Sequence, residues 1–192
     1  GSFKDTRDNQ TYKTVVIGGK TWMAQNLNYR YGTTTSDSLS SCYNNTTGNC
    51  DSFGRLYLWS AAMDSAGLNT GKPNNCGVKK TCSPGSVVQG VCPTGWHLPS
   101  KSEWLALINE VGGSAWAGVN LRRETLEWSL ENDSQTPTYA SGDPFGFGLL
   151  PAGQCELKSS TPCASHSYFR GSRSNLWSST EMNDSLAFYI HA

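Results

Sequence analysis

The sequence predicts an α+β fold in which two helices, short antiparallel strands and long disulfide-tied loops form one domain. Two segments with helical apolar spacing precede a series of short apolar strands, which is typical of that class. Seven cysteines lie mostly in polar loops. The 192 residues suffice for one well-buried core, and no Pro/Ser-rich linker or charge run divides them. We therefore expect a single domain over residues 3–192, after a two-residue cloning remnant.

The first elements follow from apolar alternation and glycine. Residues 12–17 predict a strand, Gly18-Gly19 can take the two positive φ angles of a tight hairpin, and residues 20–23 return as the second strand. A short apolar helix is expected near residues 54–64. The long segment 65–91 is rich in Gly, Pro and Asn and is expected to be irregular.

The second helix has the clearest start signal in the chain. Ser100 can cap it, and Glu103 lies three residues later to complete a capping box. Apolar residues then recur at helical spacing over residues 101–111, and Gly112-Gly113 ends the helix. Further elements are expected in order: a short helix or turn at 115–122, and strands at 146–151, 168–170, 175–179 and 186–191.

The net charge argues against nucleic acid as a partner, and the length of the apolar runs argues against a lipid bilayer. Fifteen basic and fifteen acidic side chains cancel, so no basic field exists to bind nucleic acid. No apolar run approaches the ~20 residues that span a bilayer, so membrane insertion is not expected. Charged residues are 16% of the chain, below the ~25% of an ordinary domain. Ser, Thr, Asn, Trp and Tyr are abundant instead, which favours a secreted, loop-rich protein.

Cysteine spacing predicts three local disulfides. The pairs are Cys42 with Cys50, Cys76 with Cys82 and Cys155 with Cys163. Each closes a polar loop and would remove about 2–3 kcal/mol of unfolded-state entropy on the chain-entropy model. Zinc binding is the alternative, but zinc sites favour two to four residues between cysteines, and the gaps here are seven, five and seven. Disulfides indicate an oxidising, extracellular compartment.

Six motifs in order resemble the Fibrobacter succinogenes major paralogous domain, a family of bacterial surface modules. The most distinctive contains Thr94-Gly95-Trp96-His97-Leu98-Pro99 and ends at Glu103-Trp104. The motifs occupy residues 10–15, 20–27, 53–59, 94–104, 145–153 and 176–181. The resemblance covers nearly the whole chain and implies a C-type-lectin-like fold with surface display, on a bacterial adhesin or pilus-like protein.

The same resemblance implies a partner for the seventh cysteine, Cys92. Members of the family continue past a strand like residues 187–190 to a terminal strand that carries a cysteine, so we expect a missing C-terminal strand anchored by Cys92. Its absence would leave an exposed sheet edge able to accept a strand from another protein. A buried free thiol is the alternative for Cys92.

No catalytic set is apparent, so the chain is not expected to be an enzyme. His97, His166 and His191 lack the spacing of a metal or nucleophile motif. His97 is expected to pack near the core, between Trp96 and Leu98. Paired carboxylates for polysaccharide hydrolysis are the weakest of three functional hypotheses, because no Asp or Glu other than the capping residue has an apolar setting.

Binding of a glycan or another surface ligand is the first hypothesis, and a structural or protein–protein module is the second. Sugar sites combine aromatic faces with amide, carboxylate and guanidinium groups. Two segments have this composition, and the alternative for both is a solvated turn beside a core Trp177. The candidate ligand-binding residues are His166, Tyr168, Arg170, Arg173, Asn175, Glu181, Asn183 and Asp184.

Calcium is the one ion that the sequence leaves open, and no other cofactor is expected. Glu181, Asn183, Asp184 and Asp143 could supply four oxygens, whereas calcium takes six to eight. In Lys72-Pro73-Asn74 a cation replaces the acid of the triplet that calcium-dependent sugar lectins use. We expect no lectin-type calcium site, with a structural calcium as the alternative.

Overall fold

A computed structural model describes residues 1–32, 39–82, 84–124, 128, 142–155 and 167–192. The chain begins with a three-stranded antiparallel sheet of β1 (Ser2–Lys4), β2 (Thr11–Ile17) and β3 (Lys20–Met23), in that order. Gly18 and Gly19 have φ angles of 59° and 72°, which confirms the predicted hairpin. In β2 the side chains of Tyr12 and Ile17 are buried.

Where one helix was predicted over residues 54–64, the structure has a short strand and a shorter helix. The chain forms β4 (Ser40–Ser41), a 3₁₀ turn (Tyr43–Asn45), α1 (Thr47–Phe53), β5 (Leu56–Tyr57) and α2 (Trp59–Ala62). The prediction is wrong in extent because Gly54 has φ 76° and ends α1, after which β5 pairs with β4. The short helix α1 was missed because its sequence is polar, and its buried side chains are Cys50 and Phe53.

The loop region over residues 65–91 has no helix or strand in its described part, as predicted. Asp64 is fully buried and organises its first turn by accepting hydrogen bonds from the Tyr31 hydroxyl (2.6 Å) and from the backbone N–H groups of Asn69 and Thr70. These hydrogen bonds outweigh burial, which acts the other way, and the pKa of Asp64 is lowered. The carboxylate therefore stays charged and holds the loop against the domain.

The predicted disulfides are present as far as the structure describes them. Cys42 is joined to Cys50, and Cys76 to Cys82. Cys155 is also disulfide-bonded, while its predicted partner Cys163 lies outside the described residues. No helix in the described ranges is both long and apolar enough to cross a membrane.

The second half contains α3 (Lys101–Glu110), α4 (Ala117–Leu121), β6 (Gln154–Cys155), β7 (Ser167–Tyr168), β8 (Asn175–Asn183) and β9 (Leu186–His191). Helix α3 begins with the predicted capping box, and the predicted short helix is α4. The strand predicted over 146–151 is wrong: Gly146 and Gly148 have φ angles of 68° and 74°, and an isolated bridge between Arg122 and Leu149 replaces it.

The main core lies between α3, the β2–β3 hairpin and α4. Trp104 and Leu107 of α3 are buried there against Trp22, whose ring centroid is 5.2 Å from that of Trp104. Phe147 packs on both indoles at centroid distances of 6.3 and 6.5 Å. The described elements are thus an α+β domain with small antiparallel sheets, and the C-type-lectin-like topology stays a prediction.

Indole hydrogen bonds fix the hairpin of β8 and β9 to the rest of the domain. Trp104 Nε1 donates to the carbonyl of Trp177 (3.1 Å), and Trp177 Nε1 donates to the carbonyl of Tyr57 (2.7 Å). Trp59 Nε1 donates to the carbonyl of Ser178 (2.8 Å). Strand β8 is therefore held from α3, β5 and α2 at once.

The start of α3 predicts a specific loss of stability in acid. Burial acts to raise the pKa of Glu103, but hydrogen bonds from the Ser100 N–H, His97 and Lys20 outweigh it and lower that pKa to about 2. A carboxyl group with a lowered pKa in the folded state stabilises the fold above its unfolded value of about 4.3, and this contribution is lost as the pH falls towards 2. We expect Glu103→Gln to reduce the free energy of unfolding by about 2–3 kcal/mol at pH 7.

Urea denaturation at pH 7 and at pH 2 measures this effect. The difference between wild type and Glu103→Gln should shrink towards zero at pH 2. Glu110→Gln, at the exposed end of the same helix, is the matched control and should stay within about 0.5 kcal/mol of wild type. An equal loss at both pH values would contradict the electrostatic explanation.

Candidate functional site

A groove of about 660 Å³ opens onto the core beside β3 and β8. Its lining is mostly apolar and comes from parts of the chain that lie far apart in the sequence. They include residues from 20–27 with β3, 55–57, 91–99 before α3, 103–104, 147–155, 174–177 at the start of β8, and Tyr189 of β9. Trp22, Trp104 and Phe147 of the core also line it. Sequence-distant segments thus meet at one concave surface.

Three aromatic rings with accessible surface, those of Trp96, Trp177 and Tyr189, line this groove. Tyr189 of β9 is 53% exposed, and its ring lies edge-on to Trp177 with the centroids 5.9 Å apart. Trp96 is partly exposed and stacks on Phe3 at a centroid distance of 4.6 Å. The contacts hold the three rings in place, so they offer fixed apolar faces to a ligand.

Two amide side chains add fixed polar groups to the same lining. Asn175 Nδ2 donates to Gln154 Oε1 (2.6 Å), and Asn175 Oδ1 lies 2.8 Å from Nδ1 of His191. Asn175 and Gln154 both line the groove. Each interaction fixes one end of the Asn175 amide, so the direction of its polar atoms is set before any ligand binds.

Basic and acidic side chains also line the groove: Lys20, Arg55, His97 and Glu103. Glu103 Oε1 lies 3.1 Å from Lys20 Nζ and 3.0 Å from His97 Nε2, so the carboxylate interacts with two side chains at once. His97, which was expected to pack near the core, has a side chain that is 39% exposed and lines the groove beside core residues. Arg55 follows α1, and its Nε donates to the carbonyl of Asn28 (3.2 Å).

Cys92 is the free thiol among the described cysteines, and it lies in the groove lining. Burial raises the pKa of this thiol to about 12, although the charge of Arg7 acts to lower it. The thiolate is the reactive form of cysteine, and at neutral pH almost none of it is present. Cys92 is consequently unsuited to act as a nucleophile at neutral pH.

The predicted ligand residues near β7 form a cluster of their own beside α1. Arg170 Nη1 donates to Asn49 Oδ1 (2.6 Å), and its guanidinium lies 5.4 Å from the centre of the Tyr43 ring. The guanidinium of Arg173 lies 3.9 Å from the centre of the Phe169 ring. Tyr168 belongs to β7 and pairs with Gln154. His166 lies outside the described residues.

Glu181, Asn183 and Asp184 lie at the other end of β8, roughly 25 Å along the strand from Asn175. Glu181 Oε2 accepts a hydrogen bond from the Cys82 N–H (3.2 Å), and the Asp184 carbonyl accepts one from the Lys79 N–H (2.6 Å). They dock the Cys76–Cys82 loop onto the hairpin. Of the predicted ligand residues that the structure describes, Asn175 alone lines the groove.

The acidic residues considered for calcium are engaged elsewhere. Asp143 Oδ1 and Oδ2 accept hydrogen bonds from the N–H groups of Phe147 (2.9 Å) and Gly148 (2.7 Å). Burial raises the pKa of Asp143, against the effect of those hydrogen bonds. Among the described residues, no group of three or more His, Cys, Asp or Glu side chains is placed to hold a metal ion.

Most of the groove was not predicted from the sequence, because the apolar residues of each lining segment are equally typical of a buried core. Trp177 was expected in the core, yet it is only partly buried and lines the groove. In β9, Tyr189 lies between two less exposed residues, and the alternation of side chains along a strand could have predicted that its ring is exposed. Arg55 lies in the family motif at residues 53–59 but was not predicted as a site residue, because its contacts with residues 27 and 28 are purely tertiary.

The buried thiol generates a prediction about chemical reactivity. We expect iodoacetamide at pH 8 to label Cys92 on the order of 100-fold more slowly in the folded protein than in urea, because a pKa near 12 leaves almost no thiolate. Mass spectrometry of time points without reductant measures the rate, and the disulfide-bonded cysteines should stay unlabelled in both states. Equal rates in the two states would contradict the raised pKa of Cys92.

Comparison with known proteins gives one match. No curated protein and no solved structure matches the chain. The family described as the Fibrobacter succinogenes major domain matches residues 15–191, which include the end of β2, strand β3, helix α3 and the β8–β9 hairpin. The match extends over nearly the whole chain and confirms the resemblance seen in its motifs: the protein belongs to the Fibrobacter succinogenes major domain family.

Proposed function

We propose that this domain is a non-catalytic, extracellular binding module that holds a carbohydrate chain in the groove. The observation that carries the proposal is the set of accessible aromatic rings beside fixed amide groups in one cavity of about 660 Å³. Ligand sites commonly have volumes of about 300–1,000 Å³, with apolar walls and a few placed polar groups. This groove has both properties.

The chemistry of the lining suits a sugar ring. One face of a pyranose carries mainly C–H groups, which pack on aromatic rings such as Tyr189, Trp177 and Trp96, and its hydroxyl groups need both donors and acceptors. The amides of Asn175 and Gln154 supply both kinds of group. Because the side chains are held by contacts within the domain, little conformational entropy is lost on binding.

Two features of the groove favour binding without catalysis. Glycoside hydrolysis needs a pair of carboxyl groups, one of them an acid with a raised pKa. Glu103 is the one carboxyl group in the described lining of the groove, and its pKa is lowered to about 2. The thiol of Cys92 is protonated, as argued above, and makes a poor nucleophile.

Extracellular placement is supported by the covalent chemistry. Cys42–Cys50 and Cys76–Cys82 are disulfides that form and persist in oxidising compartments. They clamp two polar loops that would otherwise be free to move, which suits a domain exposed outside the cell. Display on an adhesin or a pilus-like protein is part of this proposal.

A specific observation favours a second candidate, in which the groove accepts a β-strand from a protein. Ile17 and Lys20 close the two-residue hairpin, so the backbone groups of Thr21 and Met23 point away from β2. Among the described residues no strand pairs with that edge of β3, and the edge lines the groove next to Cys92. Such an edge can bind an extended segment through main-chain hydrogen bonds.

The carbohydrate proposal predicts the effect of removing one exposed ring. Tyr189→Ala should weaken binding to immobilised glycans at least about tenfold, because the variant loses ring stacking worth roughly 1.5 kcal/mol. Glycan arrays and pull-down with insoluble polysaccharides measure the binding. Tyr168→Ala and Arg170→Ala test whether the cluster beside α1 contributes instead.

Trp116→Ala is the matched control, since Trp116 is 55% exposed and lies outside the groove lining. It should bind as wild type does. A folded wild type that binds no glycan, or loss of binding in Trp116→Ala equal to that in Tyr189→Ala, would argue against the carbohydrate proposal.

The strand-acceptor candidate predicts stabilisation by an added peptide. A seven-residue peptide with alternating apolar side chains and one cysteine, supplied in excess with mild oxidant, should raise Tm by at least about 3 °C. It should also form a mixed disulfide with wild type and none with Cys92→Ser. Differential scanning fluorimetry and intact-mass spectrometry measure the two effects.

The same peptide with N-methyl groups on alternate residues is the control, because it cannot complete the main-chain hydrogen bonds. It should leave Tm unchanged. If the two peptides shift Tm equally, or neither does, the edge of β3 does not accept a strand.

A further inference from the structure

We infer that the ligand of the groove is an acidic glycan, and that Arg55 binds the carboxylate of a hexuronate unit. This inference rests on the proposed carbohydrate function and specifies the class of sugar. It is carried by the geometry of Arg55, by the distribution of charge around the groove, and by the amide groups that complete the site.

Arg55 is held firmly in the wall of the groove. Its backbone N–H donates to the carbonyl of Leu27 (3.0 Å), and its Nε donates to the carbonyl of Asn28 (3.2 Å). The preceding Gly54 lies so close to Asn26 that an added Cβ would approach the Asn26 Cβ to 2.6 Å. The chain around Arg55 is therefore tightly packed, and the start of its side chain has little freedom.

The outer edge of the guanidinium is available. Within the described part of the chain, neither Nη atom of Arg55 has a hydrogen-bond partner, whereas its Nε is bound. A guanidinium presents parallel N–H groups that match a carboxylate with two hydrogen bonds. Charge-assisted hydrogen bonds of this kind are stronger in a partly apolar wall than in open water.

Charge in the groove favours an anion. Lys20 and Arg55 are the cationic side chains of the lining, and Glu103 is its one carboxylate among the described residues. The charge of Glu103 is already compensated by Lys20, His97 and the Ser100 N–H. Arg55 therefore has no acidic neighbour in the lining, and a ligand carboxylate complements it.

The remaining groups distinguish a sugar acid from an acidic peptide. Trp177 and Tyr189 offer ring faces that suit a pyranose, and the Asn175–Gln154 amide pair offers donors and acceptors for hydroxyl groups. A polyglutamate chain has the carboxylate but neither the C–H-rich ring nor the hydroxyl groups. Hexuronate carries all three kinds of group on one unit.

Titration with polygalacturonate of defined length, followed by calorimetry, tests the inference. Wild type should bind it at least tenfold more tightly than the same polymer after its carboxyl groups are reduced to alcohols. Arg55→Gln should lose at least tenfold in affinity for polygalacturonate and show no preference between the two polymers. Arg55→Lys keeps the positive charge but cannot make two parallel hydrogen bonds, so its affinity for polygalacturonate should lie between those of wild type and Arg55→Gln.

Arg123→Gln is the matched control, because it removes one exposed guanidinium outside the groove lining. It should bind polygalacturonate as wild type does. The reduced polymer keeps the test decisive even if Arg55→Gln fails to fold, since it changes the ligand and leaves the protein intact.

The outcomes separate this inference from the proposed function. Equal binding of the native and reduced polymers, abolished by Tyr189→Ala, would overturn the role of Arg55 and leave the carbohydrate proposal standing. Binding of polyglutamate as tightly as polygalacturonate would overturn the sugar-acid inference in favour of a general anion site. Absence of binding to either glycan polymer and to the neutral glycans of the array would overturn both.

Discussion

The groove depends on the chain of indole hydrogen bonds that runs from α3 through β8 to β5. Trp104 donates to the carbonyl of Trp177, whose own indole donates to the carbonyl of Tyr57. Each such bond contributes about 1 kcal/mol, but leaving a buried donor or acceptor unpaired costs about 1–3 kcal/mol. Because the two bonds share Trp177, a shift of β8 would break both at once, and the strand has one stable position.

That position creates the concave surface rather than a closed core. Strands β8 and β3 belong to different sheets and both line the groove, together with core rings such as Trp22 and Phe147. The indole Nε1–H of Trp22 is buried and has no hydrogen-bond partner in the described structure. Within the described residues, this surface thus combines an unpaired strand edge, aromatic faces and the Arg55 guanidinium with no acidic partner in the lining, and these groups are already held in place by the domain.

The sequence predicted local structure well wherever one segment contained its own signal. Ser100 and Glu103 are three residues apart, so the capping box and the start of α3 follow from the sequence itself. The Gly18-Gly19 hairpin and the disulfide of Cys76 with Cys82 are equally local. The region after Gly54 was predicted poorly, because β5 exists only through pairing with β4, fifteen residues earlier in the chain.

The candidate site shows the same limit more strongly. Amino-acid composition predicted ligand sites in the segments around Arg170 and Glu181. In the structure, however, Arg170 donates to the Asn49 side chain and Glu181 accepts from the Cys82 N–H, so both groups hold parts of the domain together. The lining of the groove comes from segments up to about 170 residues apart, and no local pattern marks them as neighbours. Residue order alone determined the family, the helix α3 and the loop disulfides, since these depend on short-range spacing. Tertiary structure decided which rings and charges share a surface, because that depends on where distant backbone carbonyls meet indole and guanidinium donors.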